Sequence, residues 1–443
     1  MVISDLKLIP KVEIEVTRRE LTKVTIAAGI GGIIEYYDFF IASFAAASIW
    51  PQVFFSGLSS GMAVAFSILT FGLVYFTRPI GAYIFGHVGD RVGRKKILIY
   101  TLFAMGVGML GIALTPSYSS IGWMAIALLV LFRLLFGIGL GGEYGGAVSW
   151  ITEFASRSKW RSFWNLWATP VPIGLLIASL SFSYLASSMN GNFITFGWRI
   201  PFAIGAVLVV VGLIIRYKVS ESPAFKSILE KKAIDKAPAS TVLRLYLKTI
   251  ILLALAWTFM TTLTSAVVVP FSVSYLGTIG VPPQAANLDV TYAVAFGIFI
   301  MLLGFAVSEK IGRKKTMILG AIWGLLASIA FFPLLNTLNP VMIVLADTLL
   351  FGCTVFTIGA QNTLFAESFP TKFRYSGTGL SFQFGTLISG LVIVGVIPTI
   401  ILRTGGVANS WPYVSLVGAL VAAASLVALF FVRETKDVVV FEK

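Results

Sequence analysis

Twelve predominantly apolar stretches run through this chain, at roughly 24–50, 62–86, 97–115, 122–150, 163–187, 198–216, 249–275, 288–307, 316–335, 340–364, 378–402 and 411–432. A helix needs about 20 such residues to cross a bilayer. In hydrocarbon every backbone N–H and C=O must be satisfied internally, and stretches of this length do so as helices. The expectation is therefore an all-α membrane protein with twelve transmembrane helices. Composition agrees: 57% of residues are hydrophobic and only 12% charged, against about 25% charged in soluble domains. A chain this apolar cannot cover a water-facing surface.

The formal net charge of +14 does not point to nucleic acid. Of the 33 Lys and Arg, 29 fall in the tails and in alternate loops that share one face of a twelve-span topology. The positive-inside rule then places both termini in the cytosol of a plasma-membrane protein. The first 23 residues carry nine charges, from Asp5 to Lys23, and lack the apolar core of a signal peptide. The expected division is a cytosolic tail (1–23), a six-helix bundle (24–216), a cytosolic linker (217–248), a second six-helix bundle (249–432) and a cytosolic tail (433–443).

The two bundles repeat one another. Asp90-Arg91-Val92-Gly93-Arg94-Lys95-Lys96 after the second stretch matches Glu309-Lys310-Ile311-Gly312-Arg313-Lys314-Lys315 after the eighth. Glu153 precedes Arg161 after the fourth stretch as Glu367 precedes Arg374 after the tenth. Matched pairs at equivalent places imply a duplicated six-helix unit. The expected role of Asp90, Arg91, Gly93, Arg94, Glu153, Arg161, Glu309, Gly312, Arg313, Glu367 and Arg374 is a latch on the cytosolic side that breaks when the protein opens. The bland reading is that the basic residues only set topology.

Ionisable groups at membrane depth are costly and face a cavity or a partner. Glu35 and Asp38, at i and i+3, share a face of the first helix; Arg78 and Arg133 lie deep in the second and fourth. One reading is a fixed ion-pair network. The other is a coupled switch: an acid beside arginine stays ionised, and it takes up a proton when the arginine transfers to a substrate carboxylate. Asp38 is then the proton site, with Glu35 as substitute, and Arg133 is the carboxylate ligand, since a guanidinium grips a carboxylate bidentately. Glu143 is expected near the inner end of its helix, paired with loop charges. In the second half Asp347 is expected near the outer interface. Arg78, Tyr37, Gln361, Asn362, Gln383 and Trp257 are the other candidates for contact with substrate.

Other chemistries find little support. Cys353 is the sole cysteine and His87 the sole histidine, so no thiolate metal cluster, disulfide or histidine-rich site can form. Gly137-Ile138-Gly139-Leu140-Gly141-Gly142 satisfies a dinucleotide fingerprint, but no strand precedes it and it lies inside an apolar run. Gly137, Gly141 and Gly145 instead make a small-residue stripe for close helix packing. No nucleophile–base pair or phosphate loop stands out, so the chain is not read as an enzyme and needs no cofactor.

The loop Gly86–Lys96 resembles the signature of the major facilitator superfamily. Glu35-Tyr36-Tyr37-Asp38-Phe39-Phe40, Arg78-Pro79-Ile80-Gly81, Gly142-Glu143-Tyr144-Gly145-Gly146-Ala147, Gly197-Trp198-Arg199-Ile200-Pro201-Phe202 and Glu221-Ser222-Pro223-Ala224-Phe225 are similar to motifs of its metabolite:proton symporters. Tyr36 stands where that family usually has Trp, and Phe136 where it has Gln. The resemblance implies two pseudo-symmetric six-helix bundles working as a monomer. It also implies proton-driven symport of an organic acid or osmolyte by alternating access. The alternatives are an uncoupled facilitator or exchanger of the same fold, and a transporter-derived membrane sensor.

Overall fold

The computed structural model describes residues 16–156, 158–189, 192–230 and 237–436. Parts of the expected tails and linker (1–15, 231–236 and 437–443) lie outside the described residues. Twelve helices are long and apolar enough to span a membrane. They are α1 (Arg18–Ala46), α2 (Ala65–Val92), α3 (Arg94–Leu114), α4 (Trp123–Phe154), α5 (Arg161–Met189) and α6 (Phe193–Tyr217), then α7 (Pro238–Ser265), α8 (Leu288–Ile311), α9 (Arg313–Leu335), α10 (Pro340–Glu367), α11 (Thr371–Arg403) and α12 (Val407–Phe431). Their outer surfaces carry large apolar side chains such as Phe103, Phe299, Leu402 and Phe430, the surface a lipid solvent requires.

Packing repeats between the halves. In the first, α4 packs on α2 and α3, α3 on α6, and α1 on α5 and α6. In the second, α10 packs on α8 and α9, α9 on α12, and α7 on α11 and α12. Each contact maps onto its counterpart by adding six to the helix number. Between halves, α2 lies along α11 and α5 along α8, again an exchanged pair.

Some boundaries differ from the sequence reading. Helix α1 starts at Arg18 because Thr17 and Glu20 form a reciprocal capping box, so its first turn lies in the expected tail. Helix α7 starts at Pro238, but its backbone is non-helical at Tyr246 (φ −121°, ψ 17°). The stretch before that break, with Pro238, Ala239 and Val242 buried, precedes the apolar span. The linker also holds a short helix, Pro223–Glu230. The α2–α3 and α8–α9 turns pass through Gly93 (φ 120°) and Gly312 (φ 110°), a conformation a Cβ would strain.

Candidate functional site

Between the halves lies a central cavity. Glu35, Tyr36 and Phe39 of α1 and Tyr75 and Arg78 of α2 line one side; Trp257, Thr261, Thr354, Phe382 and Thr386 line the other. Helix periodicity explains the first set: 35, 36 and 39 share a face of α1, and 75 and 78 one of α2. The charge in the wall is an ion pair, Arg78 Nη2 donating to Glu35 Oε1 at 2.7 Å. The same guanidinium donates through Nε to Gln383 Oε1, also at 2.7 Å, so Arg78 ties the first half to α11 of the second. Trp257 donates through its indole N–H to Thr386 at 3.3 Å and stacks on Phe382.

Asp38 and Arg133 form the second pair, 2.9 Å apart, but neither lines the cavity. Arg133 is buried among the rings of Trp50, Phe71 and Phe136, each 5.5–5.8 Å from its guanidinium carbon. Phe136, at the position where the family usually has an amide, is thus one wall of this box. Arg133, expected to contact substrate, is therefore placed off the cavity wall, with its face of α4 packed into the first bundle. Tyr37 is likewise placed off the wall, since its hydroxyl donates to the Pro201 carbonyl at 2.8 Å, turned toward α6.

Gln361 and Asn362 also lie outside the cavity wall. Gln361 Nε2 donates to the Tyr144 hydroxyl at 2.5 Å, and that hydroxyl donates to Asn362 Oδ1 at 2.9 Å. Asn362 Nδ2 donates to the Asn165 carbonyl and to Thr169 Oγ1. Phe382 stacks between Tyr144 and Trp257, with ring centroids 3.5 and 4.4 Å away. The result is an aromatic and amide floor under the cavity, joining α4, α5, α10 and α11.

Below the floor, the end that carries the two basic loops is closed. Asp90 accepts from the backbone N–H groups of Tyr375 (3.2 Å) and Ser376 (2.9 Å), capping the start of α11, where a carboxylate is favoured. Glu309 accepts from the Ser162 N–H at 2.7 Å, capping α5 in the same way. Arg94 lies 3.3 Å from Asp90 and 3.1 Å from Glu153, and donates to the Thr371 carbonyl. Arg313 lies 3.1 Å from Glu309 and 3.7 Å from Glu367. The second pairs cross over: Glu153 binds Arg374 at 3.2 Å and Glu367 binds Arg161 at 2.9 Å. Arg91 is the exception, exposed and 3.5 Å from His87, pointing away from these bridges.

Sequence reading missed several members. Glu143 pairs with Arg216 of α6 and accepts from Thr101, all within the first bundle rather than with loop charges. Glu221 caps α3 through the N–H groups of Arg94 and Lys95, and Ser222 donates to Glu153. Glu434 caps α9 through those of Arg313 and Lys314, and Thr435 donates to Glu367. The signal was present: Tyr217 to Glu221-Ser222 and Phe430 to Glu434-Thr435 have the same spacing. Asp347, in the outer part of α10, is fully buried.

Two pseudo-symmetric six-helix bundles with a central cavity between them are the architecture of a membrane transporter. The profile of the sugar (and other) transporter family matches residues 24–244 and 226–442, and the chain belongs to that family, among the metabolite transporters of the major facilitator superfamily. It is 33% identical over 422 residues to the inner membrane metabolite transport protein YhjE of Escherichia coli (strain K12), covering 94% of each chain. It is 30% identical to the shikimate transporter of the same organism, over 89% of this chain and 91% of the other. Its fold matches the proton:xylose symporter XylE with a TM-score of 0.73 at 20% identity, covering 94% and 97% of the two chains.

Proposed function

We propose that the chain is a proton-coupled symporter of a small carboxylate or zwitterionic metabolite. The observation that carries this is the Glu35–Arg78 pair in the cavity wall, with Arg78 bonded onward to Gln383. A substrate carboxylate entering beside Arg78 competes for the guanidinium. Glu35, losing its partner in a low-dielectric wall, takes up a proton. Proton and substrate then favour each other's binding by linkage. Asp38 and Arg133, boxed in aromatic rings behind the wall, hold α1 against α4. The coupling role the sequence assigns first to Asp38 therefore moves to Glu35.

In this proposal the basic end faces the cytosol of a plasma-membrane protein, with both termini on that side, and one chain works alone. Substrate enters from the other side. The crosswise bridges break to release it, and no cofactor takes part. The amino-acid-like reading draws on the same wall: Tyr36, Phe39, Tyr75 and Trp257 offer ring faces to a substrate ammonium. The shikimate transporter among the relatives favours a carboxylate.

The test is uptake into proteoliposomes of a panel of labelled organic acids and zwitterions, with and without an inward-acid pH gradient. Gradient-driven accumulation of one compound supports symport. Equilibration without response to the gradient establishes the uncoupled facilitator instead.

A further inference from the structure

The buried acids of the first bundle and of the bridged end each pair with an arginine. Asp347 does not. It sits two turns inside α10, about 10 Å from the end opposite the basic loops at 1.5 Å per residue, and is fully buried. Ser272, in the segment that continues α7, donates to Oδ1 at 3.4 Å; Oδ2 has no hydrogen-bond partner among the described residues. Asp289 of α8, itself mostly buried, lies near enough for its charge to act on Asp347.

Every helix around this point withholds a cation. Helix α10 packs chiefly on α8, α9, the start of α5 and the segment after α7. The basic residues of α8 and α9 are Lys310, Arg313, Lys314 and Lys315, all at the far, basic end. Arg161 of α5 lies at that end too, on Glu367. Arg133 of α4 is bound to Asp38, and Arg403 sits on an exposed end of α11. Tyr275, after α7, is bonded to Asn336. A carboxylate in this setting would be an uncompensated buried charge beside another acid, which proteins avoid by neutralising the group.

From this geometry we infer that Asp347, with Asp289 and Ser272, forms a proton-binding station in the second bundle, separate from the central ion pairs. In the conformation described here Asp347 holds the proton. Asp289 stands on the side of α8 nearer the helix end and is the group through which the proton exchanges with solvent when the end opposite the basic loops opens. The proposal needs no substrate and does not depend on the proposed symport through Glu35.

Infrared difference spectroscopy of the full chain in lipid, titrated between mildly acidic and alkaline pH, tests it without a ligand. The expected result is a carboxylic-acid C=O stretch that persists at neutral pH in the wild type. Asp347→Asn lowers the intensity of that band. Asp289→Asn keeps it but moves its loss to lower pH when the titration is followed through its endpoint, because a neighbouring negative charge favours retention of the proton. A neutral-pH band of unchanged intensity in Asp347→Asn overturns the proposal. If that variant does not fold, an unshifted titration in Asp289→Asn overturns it alone. Proteoliposome uptake that proves uncoupled removes the Glu35 mechanism and leaves these spectra as predicted.

Discussion

Arg374 of α11 lies 3.2 Å from Glu153 of α4, and their counterparts, Arg161 of α5 and Glu367 of α10, lie 2.9 Å apart. Each arginine bonds the glutamate of the opposite half, so the duplicated motif that builds each bundle also joins the two. All four groups are nearly removed from solvent, and both bridges must break for the halves to part at this end. Removing one partner of a buried pair costs about 3–5 kcal/mol.

Glu153→Gln is therefore expected to favour opening at the basic end. With Cys353→Ala and Ser376→Cys as background, a membrane-impermeant maleimide applied from that side reports it. Labelling should accelerate at least tenfold, equivalent to about 1.4 kcal/mol, less than the full cost of the bridge. An unchanged rate would mean that the crosswise pairs do not hold the end shut.

The two helix caps should be equivalent. Glu221→Ala strips α3 of its cap and Glu434→Ala strips α9. Each is expected to lower stability by about 0.5–2 kcal/mol, with near-additive effects at sites this well separated. Thermal melts in detergent check both.

Close packing of α2 on α4 positions Arg78. A Cβ at Gly141 would come within 2.1 Å of the Arg78 carbonyl oxygen and 2.9 Å of the Ala82 nitrogen, backbone atoms that move only with the helix. Gly141→Ala should cost about 1–3 kcal/mol in stability and lower transport, as read by melting temperature and counterflow. The glycine stripe of the sequence is thus a packing surface, with Gly145 turned instead onto Tyr375 and Gly379 of the second half.

The two arginines should separate in their effects. Arg78→Ala is expected to weaken binding of the transported compound at least tenfold, a loss of about 1.5–3 kcal/mol for a charge-assisted bond, while the protein stays folded. Arg133→Ala leaves Asp38 buried without its partner and should act first on the melting temperature. Counterflow KM and thermal melts distinguish them.

Apolar length and basic-residue asymmetry made the helices and their repeat legible, because the bilayer imposes both. The charges at the basic end were legible as a set, but not their crossing. Sequence places Glu153 near Arg161, and only packing brings Arg374 closer. The site was half legible. Depth marks Glu35, Asp38, Arg78 and Arg133 alike, but the rotation of α1 and α4 decides which pair meets the cavity, and a spacing of three residues puts both acids on one broad face. Glu434 was missed because the chain after α12 read as a tail, although it repeats Glu221. The lateral burial of Asp347 was not legible, since distance from a helix end says nothing of it.

The central claim is that the Glu35–Arg78 pair couples proton to substrate, and Glu35→Gln in proteoliposomes tests it most directly. The account predicts that accumulation driven by a pH gradient disappears while counterflow of the same compound continues. Gradient-driven accumulation that survives in Glu35→Gln would contradict it.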